Sequence, residues 1–184
     1  MSSDAVRSTR SDATDDWIVA AFNRLALERR FDEFTVSDVI ARAGVGRSTF
    51  YEHFRGKEDV LRRAVSGLLA PLADAVGPTG AGDATLAERV RGILEHVREF
   101  RAQSSALLAG PAALDVRRRL AELHLERLAR RDPPPKMPLP LLAETLAYAQ
   151  LGLLATWIER PSGADAATVA ATIVRTTRAF VDHA

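Results

Sequence analysis

FTVSDVIARAGVGRSTFYEHFRGKEDVL, from Phe34 to Leu61, decides how this chain folds. Thr35 is followed three residues later by Asp38, a spacing that caps a helix start. Val36, Val39, Ile40 and Ala43 then recur at helical spacing on one apolar face. Gly44 stands where that helix must stop, because glycine reaches the left-handed conformation that closes a helix end. The segment beyond it carries Arg47, Ser48, Thr49, Tyr51 and His53 around apolar Phe50 and Phe54. A helix that short has no stability of its own and has to be propped from behind. Short, polar outside and apolar behind is the build of a helix that enters a DNA major groove. The stretch reads as a helix-turn-helix, with a further helix opening at Lys57.

Upstream, a helix is expected from Thr14 to Arg30, with Asp15 and Asp16 at its positive end. Trp17, Ile18, Ala21, Phe22 and Leu25 form its expected buried stripe, and Phe31, Phe34 and Phe54 add bulk to a three-helix core. Residues 1–13 are polar, with Arg7 and Arg10, and read as a flexible arm: a solvated tail, or an arm that reaches a minor groove. Downstream, Val60, Leu61, Ala64, Val65, Leu68 and Leu69 line a helix expected from Lys57 to Val76. Pro71 in its second half is expected to kink it.

AGVGRSTFYEHFRGKEDVL resembles the signature of the TetR family of bacterial transcriptional regulators. The resemblance rests on Ala43, Gly44, Val45, Arg47, Ser48, Thr49, Phe50, Tyr51, His53, Phe54, Lys57 and Glu58, and extends upstream through Ile18, Ala21, Phe22, Leu25 and Phe31 to Thr35. It covers about the first third of the chain. It implies an all-α fold of about nine helices: an N-terminal three-helix helix-turn-helix DNA-binding domain over 14–56, and a C-terminal ligand-binding and dimerisation domain over 57–184. It also implies a repressor that binds a palindromic double-stranded DNA operator as a homodimer through its last two helices. An unidentified small-molecule effector would release it. Carried over position by position, Thr49, Tyr51, His53 and Lys57 resemble the phosphate-contacting set, and hydroxyls, a ring N–H and an ammonium suit phosphate. Arg47 is the candidate base reader, since a guanidinium pairs with O6 and N7 of guanine; a phosphate contact is its alternative. Ser48 and Ser37 are weaker candidates for base edges, and Thr35 completes the DNA-binding set.

Composition is compatible with this reading without announcing it. The 184 residues are 47% hydrophobic, enough to bury a core, and carry a net charge of +1. Over the first 63 residues, 11 Lys and Arg balance 11 Asp and Glu, but from Arg42 to Arg63 six basic residues face three acidic ones. Positive charge is therefore local to the motif. The absence of cysteine excludes disulfides and thiolate chemistry and fits a reducing cytoplasm. No apolar run approaches a membrane span, and the polar start is no signal peptide, so a cytoplasmic protein without membrane contact is expected. No phosphate loop, metal-ligand cluster or catalytic triad spacing occurs, so neither enzyme activity, metal nor cofactor is expected.

The remainder reads as more helices. GPTGAG, 77–82, breaks the chain; Thr85 and Glu88 read as a capping box for a helix lined by Leu86, Val90, Ile93, Val97 and Phe100. A short helix over 104–109 ends at Gly110, and Pro111 opens the next, which runs to Arg131 with an ion-paired face around Arg117, Arg118 and Arg119. After the proline-rich 132–140, residues 141–159 are apolar nearly all round, and Ser162 and Asp165 cap a last apolar helix. Both helices carry more apolar surface than one subunit covers, which points to a homodimer. His96, Phe100, Gln103, His124, Glu144, Tyr148, Gln150 and Trp157 are the candidate effector-binding residues, since a buried polar group needs a partner from the protein or from a ligand. A mostly hydrophobic, neutral or cationic effector is favoured. The alternatives are a C-terminal half that binds a protein partner without a small ligand, or an activator.

Overall fold

Thr35 caps the helix that its spacing with Asp38 predicts. The Asp38 amide donates to the Thr35 hydroxyl at 3.3 Å, and the Thr35 amide donates to the Asp38 carboxylate at 2.7 Å. The Thr35 hydroxyl and amide together hold the Asp38 carboxyl below its usual pKa. The helix they start ends at Gly44, whose φ of 67° is the left-handed closure expected of glycine. The computed structural model describes residues 3–77, 82–160 and 163–184, with side chains from residue 13 onward. Among these residues there are nine α-helices and no strand.

The chain divides into two units, 1–65 and 66–184. The first holds α1 (Ser3–Glu28), a 3-10 turn (Phe31–Glu33), α2 (Val36–Ala43), α3 (Arg47–His53) and the start of α4 (Lys57–Asp74). Its centre is aromatic: Phe22, Phe34 and Phe50 are at most 1% exposed, and Phe22, Phe31 and Phe34 meet as tilted and edge-to-face pairs 5.4–6.2 Å apart. α1 begins at Ser3, not Thr14, so the expected arm over 1–13 is helical backbone from its third residue. No glycine or proline interrupts that stretch, and extending an existing helix costs far less than starting one. Trp17 is 69% exposed, contrary to its place in the predicted stripe. Ile18, Ala21, Phe22 and Leu25 suffice for the core face, and Trp17 falls one step beyond it.

The second unit holds the rest of α4 and α5 (Asp83–Glu99), α6 (Arg101–Ala109), α7 (Ala113–Leu128), α8 (Leu139–Glu159) and α9 (Ala166–His183). α7 packs on α8, and α5 on α9. Pro71 lies inside α4 and is buried. The Thr85–Glu88 box does not form: α5 starts at Asp83, two residues ahead of Thr85, and Glu88 pairs with Arg91 instead. The break at 77–82 and the Ser162 cap fall largely outside the described residues, while Asp165 caps α9 by accepting from the Thr168 amide at 2.7 Å. The arginine triple is ion-paired in part, Arg119 with Glu122 and Glu126, and Arg117 with Glu144.

α8 is long and apolar enough to cross a membrane by length and composition, but half of its most apolar window is buried by protein, as in a core helix. Much of its remaining surface is apolar too. Leu141 and Tyr148 on α8 and Phe180 on α9 are 56%, 58% and 42% exposed. A groove of about 220 Å³ runs between the two helices, lined by Leu146, Ala149, Leu153, Ile173 and Phe180. The hydroxyls of Thr145, Thr156, Thr172 and Thr176 each donate to the carbonyl four residues earlier at 2.8 Å.

Two glycine substitutions should move stability in opposite directions. A Cβ at Gly44 meets nothing within 4 Å, so Gly44→Ala costs only the left-handed conformation, about 1–2 kcal/mol. Gly67, exposed inside α4 and equally free of neighbours, should gain about 0.5–1 kcal/mol as alanine. Urea unfolding of the two variants checks both signs.

Candidate nucleic-acid interface and a buried polar site

α3 is seven residues long, and two phenylalanines hold it in place. Phe50 is fully buried and Phe54 nearly so, which leaves Arg47, Ser48, Tyr51 and Glu52 exposed on the opposite side and Thr49 half-buried. Arg47 stacks over the Tyr51 ring at 5.7 Å, an i to i+4 pairing along the exposed face. Ser37, on α2, is exposed as well. Thr35 is exposed but spends its hydroxyl in the cap.

Two residues of the expected phosphate set are turned toward the protein. His53 Nδ1 lies 2.6 Å from the Asp15 carboxylate, fastening the end of α3 to α1. Lys57 Nζ donates to the carbonyls of Phe31 and Phe34, both at 2.8 Å. The local positive charge is thinner than a count of arginines suggests. Arg42 forms a two-point bridge with Glu28 at 2.7 and 2.8 Å, Arg62 pairs with Asp59, and Arg63 sits 3.9 Å from Asp16. Of the six basic residues between 42 and 63, Arg47, Arg55 and Lys57 carry no ion pair among the described residues, and Lys57 is spent on carbonyls. Arg55 and Glu52 are exposed beside the candidate contacts, and neither follows from the motif. The signal that finds them is exposure without a partner.

The effector candidates separate into surface and interior. His96 is exposed against the half-buried Phe100 ring, 4.9 Å away, and Gln103 is half-buried. Glu144 sits 3.7 Å from Arg117, whose guanidinium covers the exposed Tyr148 ring at 4.1 Å. Trp157 is buried, and its indole N–H donates to the Ala164 carbonyl at 3.0 Å. His124 and Gln150 are the two that meet inside. The Gln150 amide donates to the Leu72 carbonyl at 3.1 Å and to the Thr177 hydroxyl at 3.0 Å, while its Oε1 is buried without a partner. His124 is 0% exposed, beside the Gln150 side chain and the backbone of Leu72 and Ala143, yet neither ring nitrogen closes a well-aligned hydrogen bond. Burial drives its pKa down to about 4, against weaker upward pulls from those neighbours. The imidazole is therefore neutral at pH 7. Among the described residues, no cluster of three or more His, Asp or Glu could hold a metal ion.

Residues 18–64, which contain α2 and α3 and the start of α4, match the profile of bacterial regulatory proteins of the tetR family. A TetR transcriptional regulator from Streptococcus agalactiae 2603V aligns over 94% of this chain and 98% of its own, at 25% identity and a TM-score of 0.54. Residues 18–64 are thus similar to the tetR family in sequence, and nearly the whole chain is similar to one of its regulators in fold. The tetR-type fold recurs in the repressor AlkX from Dietzia sp. strain DQ12-45-1b, implicated in biodegradation of n-alkanes (17% identity, 90% of this chain and 94% of that one, TM-score 0.52). It recurs again in RolR in complex with resorcinol (19% identity, 95% and 93%, TM-score 0.51). No curated protein matches this sequence. The exposed face of α3 lies within the matching residues 18–64, in their helix-turn-helix.

The buried imidazole links folding to pH. The unfolded chain binds a proton at His124 below about pH 6.5, whereas the folded chain resists until about pH 4. Stability from this site is thus complete above pH 6.5, falls as pH drops toward 4, and totals about 3 kcal/mol. His124→Phe should abolish that part of the decline. Chemical unfolding of both proteins across pH 4 to 7.5 should show their stability difference changing with pH within that window and constant above it.

Proposed function

We propose that this chain is a tetR-family repressor that binds a palindromic operator as a homodimer. The observation that carries the reading is the outer face of α3, where Arg47, Ser48 and Tyr51 stand exposed over a Phe50–Phe54 prop. Arg47, free of any ion pair, is the proposed base reader, and Ser37 and Ser48 supply secondary base-edge contacts. Tyr51 and Thr49 donate to phosphate, joined by Arg55, while Thr35 serves by capping α2. Glu52 can accept from the exocyclic amine of a cytosine.

Dimerisation is supported by the apolar surface that α8 and α9 leave uncovered around Leu141 and Phe180, beside the partly exposed Tyr148 that Arg117 stacks on. Two such faces brought together make a four-helix contact related by a two-fold axis, which a palindromic operator mirrors. Effector release is supported by the polar pair His124 and Gln150, whose unpartnered atoms lie within an otherwise apolar interior. A mostly apolar, uncharged molecule with one hydroxyl or carbonyl group suits that environment. AlkX is a repressor and RolR binds resorcinol, and the shared fold is consistent with both halves of the proposal.

Footprinting on the DNA upstream of the protein's own gene tests the reading, with a protected palindrome as the expected result and no protection at any salt concentration as the result against it. In that assay Arg47→Ala should lose about 1–3 kcal/mol of discrimination at one base position, while Arg55→Ala should weaken every sequence alike. Equal losses on operator and scrambled duplex would remove Arg47 from base reading. Sedimentation of a Tyr148→Asp, Phe180→Asp double variant should shift the protein from dimer to monomer with its helical content retained.

A further inference from the structure

Lys57 opens α4, where a cation is badly placed. A helix N-terminus carries partial positive charge, and Glu58 and Asp59 in the same turn are the residues that suit it. Its side chain leaves that end altogether. The ammonium bonds two carbonyls, Phe31 and Phe34, at 2.8 Å each, and lies 4.3 Å from the centre of the Phe31 ring and 5.4 Å from that of Phe34. Two of its three N–H donors are taken, and two aromatic faces stabilise its charge. These carbonyls belong to the turn between α1 and α2, 26 and 23 residues upstream of Lys57. The bonds therefore tie the first residue of α4 to the turn that sets where α2 begins. α3 lies in the chain between those two fixed points.

We propose that Lys57 is a positioning residue: it holds the helix-turn-helix in register on its scaffold from a carbonyl and aromatic cage, and it is not the phosphate contact that the motif resemblance implies. The inference rests on the DNA-binding reading of α3 and changes which residues touch the duplex. A phosphate contact and a cage contact differ in what they leave behind when removed. Each phosphate neutralised adds about 0.9 to the slope of log affinity against log salt, whereas a positioning residue adds nothing to it.

The test uses the full chain, with its upstream intergenic duplex and a scrambled duplex as probes. Lys57→Met should lower amide exchange protection locally, over the turn and α2, by roughly tenfold or more. It should also weaken binding to the upstream duplex by roughly three- to tenfold at low salt, with the salt slope unchanged. Lys57→Arg keeps the charge but brings a planar fork too wide for the cage, so it should also lose protection. A slope lower by about 0.9 in Lys57→Met overturns the proposal, as does full protection in both variants. Loss of protection with no change in affinity also overturns it, because the role would then be structural only. If the unsubstituted protein protects no DNA, the failure belongs to the repressor reading. Exchange protection then decides the cage by itself: lost in both variants it supports the proposal, and retained it overturns it.

Discussion

Everything the first unit does depends on burying two phenylalanines behind a helix too short to exist alone. Seven residues cannot repay the cost of helix nucleation from their own hydrogen bonds. Phe50 and Phe54, entering a core that Phe22, Phe31 and Phe34 share, supply the missing stabilisation. Because the apolar work is confined to one side, the other side is free to be chosen for recognition. The two ends of the motif are then pinned separately, His53 to Asp15 and Lys57 to the turn after α1.

Charge follows the same division between support and display. Arginines are plentiful around the motif, but Arg42, Arg62 and Arg63 lie beside carboxylates of the same unit. An exposed pair of this kind contributes little to stability, yet it lowers the net positive potential offered to DNA. The consequence is a small set of exposed cations without a carboxylate partner, Arg47 and Arg55, on α3 and just beyond it. In the second unit two buried neutral polar side chains, His124 and Gln150, meet from different helices.

The N-terminal motif was legible because its constraints are local. A cap three residues from its partner, a glycine at a left-handed closure and an i to i+4 aromatic spacing all act within one or two turns. What could not be read was set by contacts distant in sequence. Nothing near Lys57 announces that its ammonium will find carbonyls more than twenty residues away. Trp17 has the composition of a core residue and lies outside the core by one helical step. Glu144 and Tyr148 share a face as expected, but Arg117 of α7 meets that face, so they belong to a surface ion pair and stack, away from the interior. Local pattern gives a residue its helix face; only packing decides what that face meets.

The threonines of α8 and α9 extend this point to the outer surface. With each hydroxyl folded back onto its own helix, Thr145, Thr156, Thr172 and Thr176 have no hydroxyl proton left to offer outward. To an approaching surface such a residue behaves much like valine. A hydropathy scale, which scores threonine as mildly polar, therefore understates how oily this side of the molecule is. Water gains little from solvating hydroxyls whose protons are already engaged, so releasing it costs correspondingly little. The two helices thus present an outer surface drier in character than a count of their hydroxyl-bearing residues suggests.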